Sequence, residues 1–331
     1  MKLWIPIAAI LLAATGRTAT AEANRPTLLI VVGASGTDTY GKQFRQWADR
    51  WADLGRQAKA EVRLIGLEEK KNDDLKTLHA ELARTAARPT ALWLVLIGHG
   101  TFDGRTAKFN LRGPDLNAGD LAGRLAKQKG PVVLINCSAS SAPFIPACSG
   151  ENRVIVTATK SGFEDNFARF GDHLSRAISD PESDLNGDGQ VALFEAFVSA
   201  ADRTKQAYEQ DGQLATEHPL IDDNGDGKGS RADWFLSGPP PKQTRAGARL
   251  DGRLARRMHL VESELERSLT AEQRAERDRL ETQLDRLREK KQDLDPADYD
   301  RRLEALLLRI AAVYDAAESG SATSSSDRPK P

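Results

Sequence analysis

The chain has 331 residues, 40% of them apolar and 29% charged, which supplies a packed core and suits two folded units or one unit with a large appendage. Lys and Arg number 47 against 48 Asp and Glu, a formal charge of −1, so there is no basic excess to hold a phosphate backbone and nucleic acid is excluded as an expected partner. Two cysteines are too few for a disulfide scaffold, and 6% aromatic residues are too few for a sugar-binding or base-stacking surface.

The chain opens on a leader. Lys2 gives a positive start, Leu3 to Ala14 is a short apolar run, and Ala19-Thr20-Ala21 offers a small-x-small cleavage site before Glu22. Residues 1–21 read as a secretory signal peptide, with an uncleaved anchor as the alternative. A secreted or periplasmic protein follows, with no membrane contact after signal cleavage.

From residue 26 to 238 the pattern is α/β. Thr27–Val32, Glu61–Ile65, Ala91–Ile97, Val132–Asn136 and Val154–Ala158 read as strands. Four of the five are apolar throughout, which marks burial on both faces. Helical stretches separate them: Lys42–Lys59, a helix from a cap at Asn72 to Ala86, and one capped by Asn117. The sum is a doubly wound, mainly parallel sheet. Pro239-Pro240-Pro241 then breaks the chain. In residues 246–317 leucines recur at three and four: Leu250, Leu254, Met258, Val261 and Leu265, then Leu280, Leu284 and Leu287, then Leu303, Leu306, Ile310 and Val313. Thr270 with Gln273 forms a capping box, and Asp295-Pro296 starts a further helix. This predicts an all-α hairpin or coiled-coil-like extension, a candidate surface for a protein partner. Residues 318–331 read as a disordered, Ser-rich tail.

Residues 184–195 (DLNGDGQVALFE) fit a calcium-binding EF-hand loop. Asp184, Asn186 and Asp188 place oxygens at positions one, three and five, and Gly189 makes the turn at six. Gln190 offers its carbonyl at seven, and Glu195 can be bidentate at twelve. Asp222, Asn224, Asp226 and Lys228 repeat the opening of such a loop, with Asp233 at position twelve. That second site competes with a hydrated turn.

In open α/β sheets ligands bind beyond the carboxyl ends of the strands. The third strand ends in Gly98-His99-Gly100 and the fourth in Asn136-Cys137-Ser138. A thiol becomes a nucleophile when a base stands beside it. His99 is that base, and the Gly100 N–H is a candidate oxyanion donor. A core cysteine, a loop histidine, or a Cys137–Cys148 disulfide are the alternatives.

LVLIGHG followed about forty residues later by VVLINCS resembles the clan CD cysteine peptidases, the group of caspases, metacaspases, gingipains and legumains. TATKSGFEDNFARFGDHLSRAI, LFEAF and ATEHPLIDDNGDGKG resemble secreted bacterial legumain-like proteins. The resemblance spans 27–235. It implies a caspase-like fold, His99 as general base, Cys137 as nucleophile, and a peptide or protein substrate. Ser161, Glu164 and Asp165 fall where relatives build the substrate pocket, and the acidic pair would favour a basic side chain there. The family's glycine after the cysteine is missing: the run is Cys137-Ser138-Ala139-Ser140. Two functions stay open: a calcium-stabilised cysteine endopeptidase, and an inactive calcium-binding scaffold of the same fold whose C-terminal helices bind a partner.

Overall fold

The computed structural model describes residues 25–68, 73–236 and 250–325. The signal-peptide leader, the Asn72 cap and the Pro239–Pro241 break lie outside the described residues. In chain order the first elements are β1 (Thr27–Val32), α1 (Asp38–Gln57), β2 (Glu61–Ile65), α2 (Asp74–Thr85) and β3 (Leu92–Ile97). A short antiparallel sheet follows, β4 (Gly100–Phe102), β5 (Ala107–Phe109) and β6 (Leu116–Asn117), leading into α3 (Ala118–Leu125). Next come β7 (Val132–Asn136), α4 (Phe144–Cys148), β8 (Arg153–Thr157), α5 (Phe170–Ala177) and α6 (Leu193–Gln210). Two short strands, β9 (Leu220–Asp222) and β10 (Ser230–Arg231), and α7 (Asp233–Leu236) end this part.

The main sheet has seven strands in the order β10-β9-β8-β7-β3-β1-β2. Strands β2, β1, β3, β7 and β8 are parallel, and β9 and β10 are antiparallel additions at one edge. Parallel pairing needs crossovers, and the helices supply them on both faces. Strand alternation sorts the core into two halves. Ile30, Val32, Val95, Ile97, Val133 and Ile135 face Phe44, Trp47 and Trp51 of α1 and Phe170 of α5. Leu29, Val31, Leu94, Leu96 and Leu134 face Leu78 and Leu82 of α2 and Leu121 and Leu125 of α3. Caps fix where helices begin: Thr37 Oγ1 accepts from Tyr40 N–H at α1, and Asn117 Oδ1 from Gly119 N–H at α3.

In the C-terminal part the first leucine stripe does not form a helix. Residues 250–261 are turns with one 3₁₀ turn, Ala255–Arg257. Gly252 sits at φ +94, and a Cβ there would come within 2.5 Å of the Phe194 ring. The segment is core rather than extension: Ala255 is fully buried, Leu260 is nearly so, and Met258 O accepts the Leu193 N–H that opens α6. The boundary expected at 246 therefore cuts a packed unit. True helices follow as α8 (Glu264–Ser268), α9 (Ala271–Glu289) and α10 (Pro296–Ser325). The Thr270–Gln273 capping box forms, and Asp295 caps α10 through the Ala297 and Asp298 N–H groups. Helix α10 runs to Ser325, so the tail expected to be disordered from 318 is helical at its start. Among the described residues no helix is long and apolar enough to cross a membrane.

Candidate functional site

Strands β3 and β7 pair with Leu96 opposite Asn136, and the Cys137 N–H extends the ladder to Leu96 O at 2.9 Å. Cys137 thus stands level with Ile97, two residues short of His99, which is about 6–7 Å along a strand. Its side chain enters the α1–α5 half of the core. Cys137 is 1% exposed, and a Cβ on Gly171 of α5 would lie 2.7 Å from its Cβ and 2.8 Å from the Trp47 ring. Burial, with the nearby Glu217 charge, pushes the thiol up to about 12. The expected solvent-facing nucleophile is corrected to a core thiol: register places it one layer too deep. Cys148 is buried in the opposite half of the core and both cysteines are free, so no bridge joins them.

His99 is partly exposed, with Nε2 3.2 Å from Ser35 O and its ring edge-on to Tyr40, Phe44 and Phe167 at 4.9, 5.2 and 6.1 Å. Gly100 packs its α-carbon on the next loop. A Cβ there would meet Ala139 O at 2.3 Å and Ser138 Oγ at 2.6 Å, so close approach explains this glycine.

The sequence reading passed over the hydroxyl cluster beneath Gly100. Asn136 Oδ1 accepts from the Ser138 N–H (3.1 Å) and Oγ (2.7 Å), and Thr159 Oγ1 accepts from the N–H groups of Ser141 and Ala142. Asn136 Nδ2 and Ser140 Oγ are buried without a hydrogen-bond partner. In the run that lacks the family's glycine, Ser140 adopts a φ of +52. The run of serines after the strand was the available signal.

Of the expected pocket residues, Ser161 Oγ accepts from the Phe163 N–H and Asp165 is exposed. Glu164 is engaged, contrary to a role in greeting a basic side chain. Its Oε1 lies 2.6 Å from His218 Nδ1, and its Oε2 accepts the Lys160 N–H. Next to His218, Glu217 caps α5 through the N–H groups of Arg169 and Phe170 and accepts from Tyr208. Burial outweighs these donors and raises its carboxyl from 4.5 to about 7. An acid whose folded value is raised stabilises the fold most below its unfolded value and loses that stability as pH rises through the folded one. Between about pH 4.5 and 7 the loss from this group is at most about 3 kcal/mol. Glu217→Gln should flatten that part of a stability–pH curve measured by urea unfolding; an unchanged slope would contradict the assignment.

The two acidic loops share a backbone. Gly187 and Gly189 have φ of 75° and 82°, and Gly225 and Gly227 have 79° and 75°. In the first loop Asp184 accepts the N–H groups of Gly187, Asp188 and Gly189, and Asn186 that of Asp188. Glu195 is 2% exposed and takes the N–H groups of Leu185, Asn186 and Ala192; burial raises its carboxyl, and the charges of Asp188 and Asp184 add to this. The Gln190 side chain accepts from the Ser263 N–H. Among the described residues no group of three or more His, Cys, Asp or Glu side chains already stands arranged to hold a metal ion. In the second loop, Asp222, Asn224 and Asp226 repeat the pattern, but Asp233 turns away to Arg231 at 2.7–3.0 Å. Asp233 is thus corrected out of the donor set, because a neighbouring guanidinium claims both its oxygens.

No family model matches the chain, and no curated protein matches it in sequence. Solved structures similar to it include the Drosophila initiator caspase Dronc, with a TM-score of 0.43 and 15% identity over 63% of this chain and 83% of that one. A structural-genomics protein from Geobacter sulfurreducens gives 0.40 and 13% over 60% and 92%. Caspase-1 from Spodoptera frugiperda gives 0.38 and 10% over 61% and 87%.

Proposed function

We propose that the chain is a caspase-like binding scaffold, secreted or periplasmic and stabilised by calcium, in which Cys137 performs no chemistry. The observation that carries this reading is the burial of the Cys137 thiol against Trp47 and Gly171, which keeps it protonated at neutral pH. A peptide or protein partner suits the carboxyl edge of the sheet. There Phe163 is 74% exposed and stands edge-on to Phe102 at 5.3 Å, on the strand that begins at Gly100. Calcium at the Asp184–Glu195 loop would brace the turn between α5 and α6, at the weak affinity typical of extracellular modules.

The test is hydrolysis of a mixed peptide library by the wild type and by Cys137→Ala, His99→Ala and Ser138→Ala. All four should give the same background. Turnover lost in both Cys137→Ala and His99→Ala would restore the peptidase reading. Turnover lost in Ser138→Ala but kept in Cys137→Ala would move the nucleophile one residue along.

A further inference from the structure

The two loops share three hydrogen bonds position for position. Gly187 N–H meets Asp184 Oδ1 at 2.7 Å, and Gly225 N–H meets Asp222 Oδ1 at 3.2 Å. Asp188 N–H meets Asn186 Oδ1, and Asp226 N–H meets Asn224 Oδ1, each at 2.8 Å. Gln190 N–H meets Asp188 Oδ1 at 3.1 Å, and Lys228 N–H meets Asp226 Oδ1 at 2.8 Å. In the first loop the N–H groups of the second and third residues go to Glu195 Oε1, at 3.2 and 3.1 Å. In the second loop they go to Asp251 Oδ1, at 3.1 and 3.3 Å. Asp251 is 5% exposed, and its other oxygen accepts from Ser230 Oγ, on the ninth residue of the same loop. Asp251 therefore stands where Glu195 stands, although it arrives from beyond the Pro239–Pro241 break.

A separate observation points to a ligand. Asp222 is 1% exposed, and its Oδ2 makes no hydrogen bond of ordinary geometry, with the Ser149 hydroxyl and the Gly227 N–H the donors standing near the carboxylate. The corresponding oxygen of Asp184 takes the Gly189 N–H, whereas the Gly227 N–H is diverted to Ser149 Oγ. A buried carboxylate oxygen with no well-formed hydrogen bond is costly unless a cation meets it. We propose that Asp222, Asn224, Asp226, the Lys228 carbonyl and Asp251 form a second divalent-cation site of the calcium class. The bound ion ties the C-terminal segment to the sheet. Asp223, between two of the ligands, already holds that segment by accepting the Gly252 and Ala255 N–H groups, both at 2.8 Å. Oxygen-only donors and a turn-built loop suit calcium over softer metals. This site is independent of whether the chain is an enzyme.

The experiment is calorimetric calcium titration of chelator-stripped full-length chain. Wild type should bind two ions. Asp251→Asn and, as a milder variant, Asp226→Asn should each weaken one of the two by about tenfold or more while the other stays. Glu195→Gln should remove the first loop's ion and leave the second's. Asp233→Asn should leave both. In hydrogen exchange, the Gly252 and Ala255 amides should slow on adding calcium in wild type and not in Asp251→Asn. Loss of an ion in Asp233→Asn, two undisturbed ions in both Asp251→Asn and Asp226→Asn, or a single ion that depends on Glu195 alone would overturn the proposal.

Discussion

Ending the chain before residue 246 is expected to abolish cooperative folding of the α/β part, whereas ending it after Glu262 should preserve it. The difference lies in 250–261. Removing that segment takes Ala255 and Leu260 out of the core, together with the partly buried Leu254, Met258 and Val261 packed against it. Burying a side chain such as leucine contributes about 1.5–3 kcal/mol. The cut also strips the buried Asp223 carboxylate of its Gly252 and Ala255 donors and leaves the Leu193 N–H without Met258 O. Each orphaned buried group costs about 1–3 kcal/mol. The total rivals the roughly 5–15 kcal/mol that a whole domain holds. Urea unfolding of the two truncations, followed by tryptophan fluorescence, checks it. Trp47, Trp51 and Trp93 are buried reporters in the retained core. A sharp transition in the shorter chain would show that 250–261 only lies on the surface.

Glu266→Ala is expected to cost the C-terminal helices about 1–3 kcal/mol, because it removes the buried acceptor that Arg277 and Tyr314 share. Glu266 on α8 is 3% exposed, ion-pairs with Arg277 of α9, and accepts from Tyr314 of α10 at 3.2 Å. One carboxylate thus gathers three helices, with Leu280, Leu284 and Leu287 buried along α9. Arg277 is itself 9% exposed, and the remaining acids near it, Asp278 and Glu281, lie on its own helix. Replacing Glu266 and Arg277 together by leucine should recover most of the loss, since a buried pair exchanged for apolar groups is nearly neutral. Helical circular dichroism against urea separates the single from the double variant. Equal losses in both would mean that packing, not charge pairing, governs the site.

The parallel strands could be read from the sequence because runs such as TLLIVV and VVLIN are apolar on both faces, and only a two-sided burial explains that. The depth of Cys137 could not be read. It is set by pairing Leu96 with Asn136, a property of two strands together, and a slip of two residues would have brought the thiol level with His99. Residues 250–261 imitated a helix because Leu250, Leu254, Met258 and Val261 recur at helical spacing. The left-handed Gly252 turns that stripe into a tucked loop instead. Strands of two or three residues, β4 to β6 and β9 to β10, carry too little pattern to stand out. The EF-hand-like motif named its candidate ligands through residue spacing. Asp251 was invisible to that logic, since it reaches the second loop through the fold and not through the motif.

The most direct measurement is the alkylation rate of Cys137 in native protein, followed by mass spectrometry across pH 6–9 with Cys148 as the buried reference. Cys137 should stay unmodified, like Cys148, until the protein unfolds. Rapid native labelling of Cys137 at neutral pH, accompanied by loss of a His99-dependent hydrolysis, would contradict the account and make this thiol a nucleophile.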